Sequence, residues 1–160
     1  MALILSGDTG PSIVQSAAQP AGCVLQVVQT ATNTYIATTS TSFVTTSFGI
    51  SITPRSTSSK IFVTTQGGGA FMGTGAGISM YSTIYRNSTN LGNATYGLER
   101  LSTPGGSWVL APHSMSVLDS PSTTSSISYM IYFRSATGAE VQFSNDDRGV
   151  VTITAMEIQG

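Results

Sequence analysis

At 160 residues the chain is sized for one domain with a core of its own. Charged residues make up 8% of it, against about 25% in a typical soluble domain, and the formal net charge is −1. The six basic residues lie far apart, which argues against nucleic-acid binding; a single cysteine excludes an intrachain disulfide; and no run of 18 apolar residues is present to insert in a membrane as a helix.

Residues 1–22 differ from the rest. Leu3, Ile4 and Leu5 form a short apolar tip, followed by a Gly-, Asp- and Pro-containing turn cluster at 6–11. The start carries no basic region, and its apolar run is short for a signal peptide, so export by the usual secretion route is not expected. Two readings stand for this segment: a frayed terminus, or a docking or strand-exchange arm whose apolar tip needs cover.

The first firm strand runs from Cys23 to Thr30, and within it Cys23 reads as a small buried hydrophobe, with an interchain bridge as the alternative. The Thr-rich stretch 34–46 holds one or two strands around Tyr35 and Phe43. Phe48, Ile50 and Ile52 share a face of the next strand, which Pro54 ends because proline has no N–H for a ladder. Ile61 to Thr65 follows. Gly67 to Gly77 is dense in glycine, lacks the Gly-Lys-Ser/Thr ending of a phosphate loop, and reads as a tight or mobile loop.

Over 78–86 the chain alternates cleanly: Ile78, Met80, Ser82 and Ile84 share one face, and Ser79, Tyr81, Thr83 and Tyr85 the other. The two tyrosines suggest that the second face is half-buried, against another subunit. A turn region covers 87–92, and Pro104 to Gly106 turns the chain again. Trp108, the only tryptophan, reads as a core residue or an interface anchor. Short alternation returns at 114–118, and 119–126 is a loop. The longest strand signal is Ile127 to Arg134, with Ile127, Tyr129, Ile131 and Phe133 on one face. A hairpin-like turn at 136–138, a short strand at 140–143, a turn at 145–149 and a last strand over 150–158 complete the chain.

Eight to ten short strands between turn clusters, with no amphipathic helix of ordinary length, predict an all-β antiparallel sandwich, jelly-roll-like. The expected organisation is an N-terminal docking arm over 1–22 and a β-sandwich domain over 23–160. Neutral, hydroxyl-rich strands with long edges are safest when closed within an oligomer.

Chemistry is sparse. His113 is the only histidine, and its neighbours Ser114 and Asp119 do not make a triad by adjacency alone. One cysteine and one histidine leave no structural zinc set, and Asp146 and Asp147 read as solvated turn acids. No catalytic residue, metal or cofactor is therefore expected, and the chain reads as a non-enzyme. Tyr81, Tyr85, Tyr96, Trp108 and Tyr132 are the aromatics available for a subunit interface or for contact with a glycan. The loops at 87–95, 102–107, 119–126 and 144–149 are the natural places for recognition.

Three stretches, Thr83 to Gly92, Ser128 to Ser135 and Thr152 to Ile158, resemble the small fibre-like or decoration structural proteins of tailed bacteriophages, especially marine and cyanobacterial phages. The opening Met1 to Gly10 is similar to the start of phage tail-fibre chains. This resemblance implies a virion location and a homotrimeric, tail-associated fibre subunit that meets other virion structural proteins through Leu3, Ile4 and Leu5. The chain has no long shaft, heptad tract or collagen-like repeat, so two further functions stay open: capsid decoration, or a module that recognises a host surface glycan.

Overall fold

The computed structural model describes residues 19–75, 77–105, 107–145 and 147–160. Most of the expected arm, with Leu3, Ile4 and Leu5, lies outside the described residues. From residue 20 the chain is tied to the rest: the Cys23 N–H donates to the Pro20 carbonyl, and the Gly22 N–H to the Gln159 carbonyl at 2.7 Å.

In chain order the strands are β1 (Val24–Thr32), β2 (Ile36–Thr38), β3 (Val44–Ile52), β4 (Lys60–Met72), β5 (Ser79–Arg86) and β6 (Thr89–Asn90). They continue as β7 (Glu99–Ser102), β8 (Val109–Asp119), β9 (Ile127–Ser135), β10 (Val141–Ser144) and β11 (Val151–Ile158). Every strand pairing is antiparallel. Sheet A runs β1-β11-β4-β8, with β10 and β2 continuing from the far half of β4. Sheet B runs β3-β9-β5, and β5 carries β6 and β7 on its other edge. The fold is thus the expected all-β, two-sheet, jelly-roll-like sandwich.

The side-chain period of two decides what goes inside. Ile127, Tyr129, Ile131 and Phe133 of β9 point into the core, and so do Met80 and Ile84 of β5. Sheet A answers with Ile61 and Val63 of β4, Phe143 of β10, and Val151, Ile153 and Ala155 of β11. These side chains are sealed from solvent, and full burial of each aliphatic stabilises the fold by about 1.5–3 kcal/mol before entropy is charged. Pro112 sits inside β8 without breaking it, because β8 bonds only to β4 among the described residues and proline is tolerated on such an edge.

The glycine-dense stretch departs from the expected loop. Gly67 to Gly69 lie within β4, at a break in its register with β8. Gly67 and Gly68 have φ of +88° and +64°, a region that glycine alone occupies without strain. A β-carbon on Gly68 would fall 2.2 Å from Val151 Cγ2. This kink lets the first half of β4 pair with β11 and the second half with β10.

Candidate functional site

His113 and Asp119, two of the titratable groups that the sequence singles out, are engaged inside the sandwich, whereas Asp147 is exposed and Asp146 lies outside the described residues. His113 is buried, its ring stacked on Phe143 with centroids 4.1 Å apart. Its Nδ1 meets Glu99 Oε2 at 2.6 Å and its Nε2 the Phe143 carbonyl at 2.9 Å. Both ring nitrogens face acceptors, so neither is open to take a proton from a substrate. The other Glu99 oxygen accepts from the Ser114 N–H at 2.9 Å. His113 therefore fastens β8 of sheet A to β7 of sheet B.

A second clamp lies at the far end of β8. Arg86 Nη1 donates to both oxygens of Asp119, at 2.8 and 3.0 Å, and the Tyr129 hydroxyl donates to Asp119 Oδ2 at 2.7 Å. Burial, and then the hydrogen bond to Asp119, push the Tyr129 hydroxyl well above its usual range. Glu157 is buried and makes no ion pair among the described residues; its carboxylate accepts from the Arg55 N–H and from Gln26 Nε2, each at 2.6 Å. Among the described residues no group of three or more His, Cys, Asp or Glu side chains is placed to hold a metal ion.

The two outer faces differ more than the interior does. On sheet A the register sets Val27, Met156, Phe62 and Leu118 side by side across β1, β11, β4 and β8, an apolar row next to the one that holds Val24, Ile158 and Lys60. On its other side the row across the same strands is Gln29, Thr154, Thr64 and Ser116, and beyond it lie Ala31, Thr152, Gln66 and Ser114. No charge occupies the apolar row or these two. Val27 and Leu118, at the two ends of the apolar row, are 54% and 52% exposed.

On sheet B the outer face is roofed. The Tyr85 and Tyr132 rings stack with centroids 4.0 Å apart, and Phe43 meets Tyr85 edge-on at 6.5 Å. Tyr81 packs edge-on against Tyr96 at 5.5 Å. The guanidinium of Arg134 lies between the two groups, 4.7 Å from the Tyr81 ring centre and 5.5 Å from that of Phe43. Its Nη1 donates to the Thr41 carbonyl at 2.9 Å, and its Nε and Nη2 donate to the Thr95 carbonyl at 3.2 and 2.5 Å. The loops around 41 and 95 are thus held at the sides of an open cavity of about 470 Å³, lined by Thr41, Ser42, Phe43, Tyr85, Ala94, Thr95 and Arg134.

Four of the five singled-out aromatics therefore meet on one face: Tyr81, Tyr85, Tyr96 and Tyr132. Tyr81 is nearly covered, whereas Tyr96 stands 56% exposed. Trp108 does not join them and is not a core residue: it is 60% exposed and stacks on Phe71 just ahead of β8. Arg134, Phe43 and the 41–42 turn were not singled out by the sequence. Their signals were the outward phase of Arg134 in the β9 alternation and the place of Phe43 in the Thr-rich 34–46 stretch.

No protein-family model matches the chain, and no curated protein matches it. Solved structures of infectious bursal disease virus do match. With the VP2 subviral particle the identity is 12%, over 95% of this chain and 44% of that one, at a TM-score of 0.42. With the virus-derived T=1 particles the identity is 15%, over 99% and 44%, at a TM-score of 0.41. With the T13 viral particle it is 12%, over 83% and 37%, at a TM-score of 0.39. The chain spans less than half the length of the proteins it matches.

The resemblance to tailed-bacteriophage fibre or decoration proteins is corrected on this ground: the matched structures are particles of an icosahedral virus that is not a phage. The stretches that carried it have a plainer origin. Residues 128–135 and 152–158 are central core strands of the two sheets, and 83–92 is the β5–β6 hairpin. Alternation of that kind belongs to sandwich core strands in general, and no tail-fibre shaft is among the described residues.

Proposed function

We propose that the chain is a non-enzymatic structural subunit of a virus particle, of the capsid kind rather than the tail, and that copies of it cover the outer face of sheet A. The observation that carries the assembly is that face: three rows across four strands without a charge, one of them apolar, with Lys60 the charged residue in the row beyond it. Burying these three rows desolvates no ion, and their hydroxyls and amides can pair across a contact. A surface so low in charge gives little self-repulsion in solution, so it suits a molecule that spends its life among copies.

A closed homotrimer is the proposed unit. β1 and β8 lie at opposite sides of sheet A, and each bonds to one strand only among the described residues. Open edges of this kind invite pairing with a neighbour, and a head-to-tail contact between unlike patches closes into a ring. The virus particle is the setting proposed for that ring, with other virion proteins met through Leu3, Ile4 and Leu5.

Sedimentation equilibrium tests the unit, with an expected mass three times the 16.6 kDa of the chain. A monomer across the whole concentration range overturns it. Imaging of purified particles tests the setting: density for this sandwich is expected in the shell or on it, and particles lacking the protein overturn that part. Deleting residues 1–18 should leave the sandwich folded and remove it from particles; unchanged incorporation would end the role of the apolar tip.

A further inference from the structure

We infer that the cavity on the outer face of sheet B binds a sugar that bears a carboxylate, such as a uronic acid unit of an acidic polysaccharide. This goes beyond the structural role, because assembly through sheet A makes no use of sheet B.

Three features of the site point to this ligand class. The first is an unmatched charge. Arg134 is half-buried, yet among the described residues it makes no ion pair, and neither does Arg100 next to Tyr81. Its three bonds to the Thr41 and Thr95 carbonyls leave two N–H groups of the guanidinium without a protein acceptor among the described residues. A planar, permanently charged fork with free donors is suited to a carboxylate. The Thr41 and Thr95 carbonyls already fix its position, so little entropy is lost when a ligand arrives.

The second is the ring wall. Phe43 and Tyr85 border the cavity, and Tyr132 backs Tyr85 from behind at 4.0 Å. The C–H face of a pyranose packs on such rings, whose faces carry the negative end of the quadrupole. The third is the rim. Thr41, Ser42 and Thr95 supply hydroxyls, which match sugar hydroxyls as donor or acceptor. At about 470 Å³ the cavity falls within the range of roughly 300–1,000 Å³ typical of small-ligand sites, so it has room for one or two sugar units.

The other cavity fits this chemistry less well. It is lined by Phe71, Trp108, Leu110, Asp147 and Arg148, and its arginine already lies 3.6 Å from the Asp147 carboxylate.

The test is an amide-shift titration of the full chain with methyl β-glucuronide and methyl β-glucoside, which differ only in the carboxylate. Sodium acetate serves as the bare-anion control. The glucuronide should saturate the shifts of residues 41–43, 94–95 and 134, and bind at least tenfold more tightly than the glucoside. Raising the salt should weaken the glucuronide alone. Phe43→Ala, which leaves the hydrogen bonds of Arg134 in place, should weaken it about tenfold. Arg134→Gln should erase the preference for the acid, with circular dichroism confirming that the sheet is retained. Equal binding of the two glycosides would overturn the inference. So would acetate matching the glucuronide, no saturation by any probe up to tens of millimolar, or acid binding that survives Phe43→Ala unchanged.

Discussion

The outer faces of sheets A and B are made from the same alternating strands, yet they present opposite surfaces. Sheet A offers three uncharged rows, one of them apolar with Val27 and Leu118 half exposed at its ends, and Lys60 in the row beyond. Sheet B is covered by its own side chains and loops: aromatic pairs, Arg134 between them, and the segments around 41 and 95 at the sides. The difference teaches that alternation decides only which residues face outward. What those residues become depends on whether the chain returns to cover them. A bare neutral face is suited to a large partner of similar flatness, whereas a roofed face with a fixed cation is suited to a small polar ligand.

The largest expected effect sets one face against the other. Phe62→Asp combined with Leu118→Asp places two charges in the apolar row of sheet A, and any partner covering them must desolvate both. Each desolvated charge costs several kcal/mol, so association should weaken by more than a thousandfold, as read by sedimentation. Tyr96→Asp on sheet B should leave the oligomer intact. If Tyr96→Asp disperses the copies and the double variant does not, the roles of the two faces are reversed.

A smaller effect comes from what the faces share. Tyr129 sits in the core and reaches Asp119 of β8, so it joins the sheets beneath both surfaces. Its hydroxyl is held above its ordinary value of about 10 in the folded chain. The unfolded chain therefore releases this proton first, and the stability contributed is full below about pH 10 and lost as pH rises beyond it. Tyr129→Phe should cost about 1–2 kcal/mol at neutral pH and flatten the decline of the unfolding midpoint in alkali. An equally steep decline in the variant would show that another group controls it.

Much of this was legible in the sequence, and what was not has a common cause. The β9 alternation announced its core face, and the 78–86 stretch announced two outward tyrosines. Their convergence with Phe43 and Tyr132 depends on the strand order β3-β9-β5, which no local pattern carries. Arg134 read as one more outward residue, because its partners Thr41 and Thr95 lie 93 and 39 residues away. The glycine cluster read as a loop because glycine density is the usual mark of a turn; here it marks a strand bent between two partners, β11 and β10, far along the chain. Trp108 was grouped with the other aromatics by residue type alone, and its place beside Phe71 separates it from them.

The smallest effect sharpens the contrast most directly, because it asks what each face does for the lone chain. Removing the Tyr132 ring takes away the stacked partner of Tyr85 inside a roof that the chain has already built. Such pairs contribute about 0.5–1.5 kcal/mol beyond the area they cover, so Tyr132→Ala should lower monomer stability by about 1–2 kcal/mol in urea unfolding. Leu118→Ala removes a side chain that is half exposed and meets no roof, and at concentrations too low for association it should change stability by less than about 0.5 kcal/mol. At high concentration the order should invert: Leu118→Ala then loses the contact energy of the assembly, and Tyr132→Ala does not. If both variants cost the same in both regimes, the two faces are equivalent, and the division between a face for copies and a face for ligand has no basis.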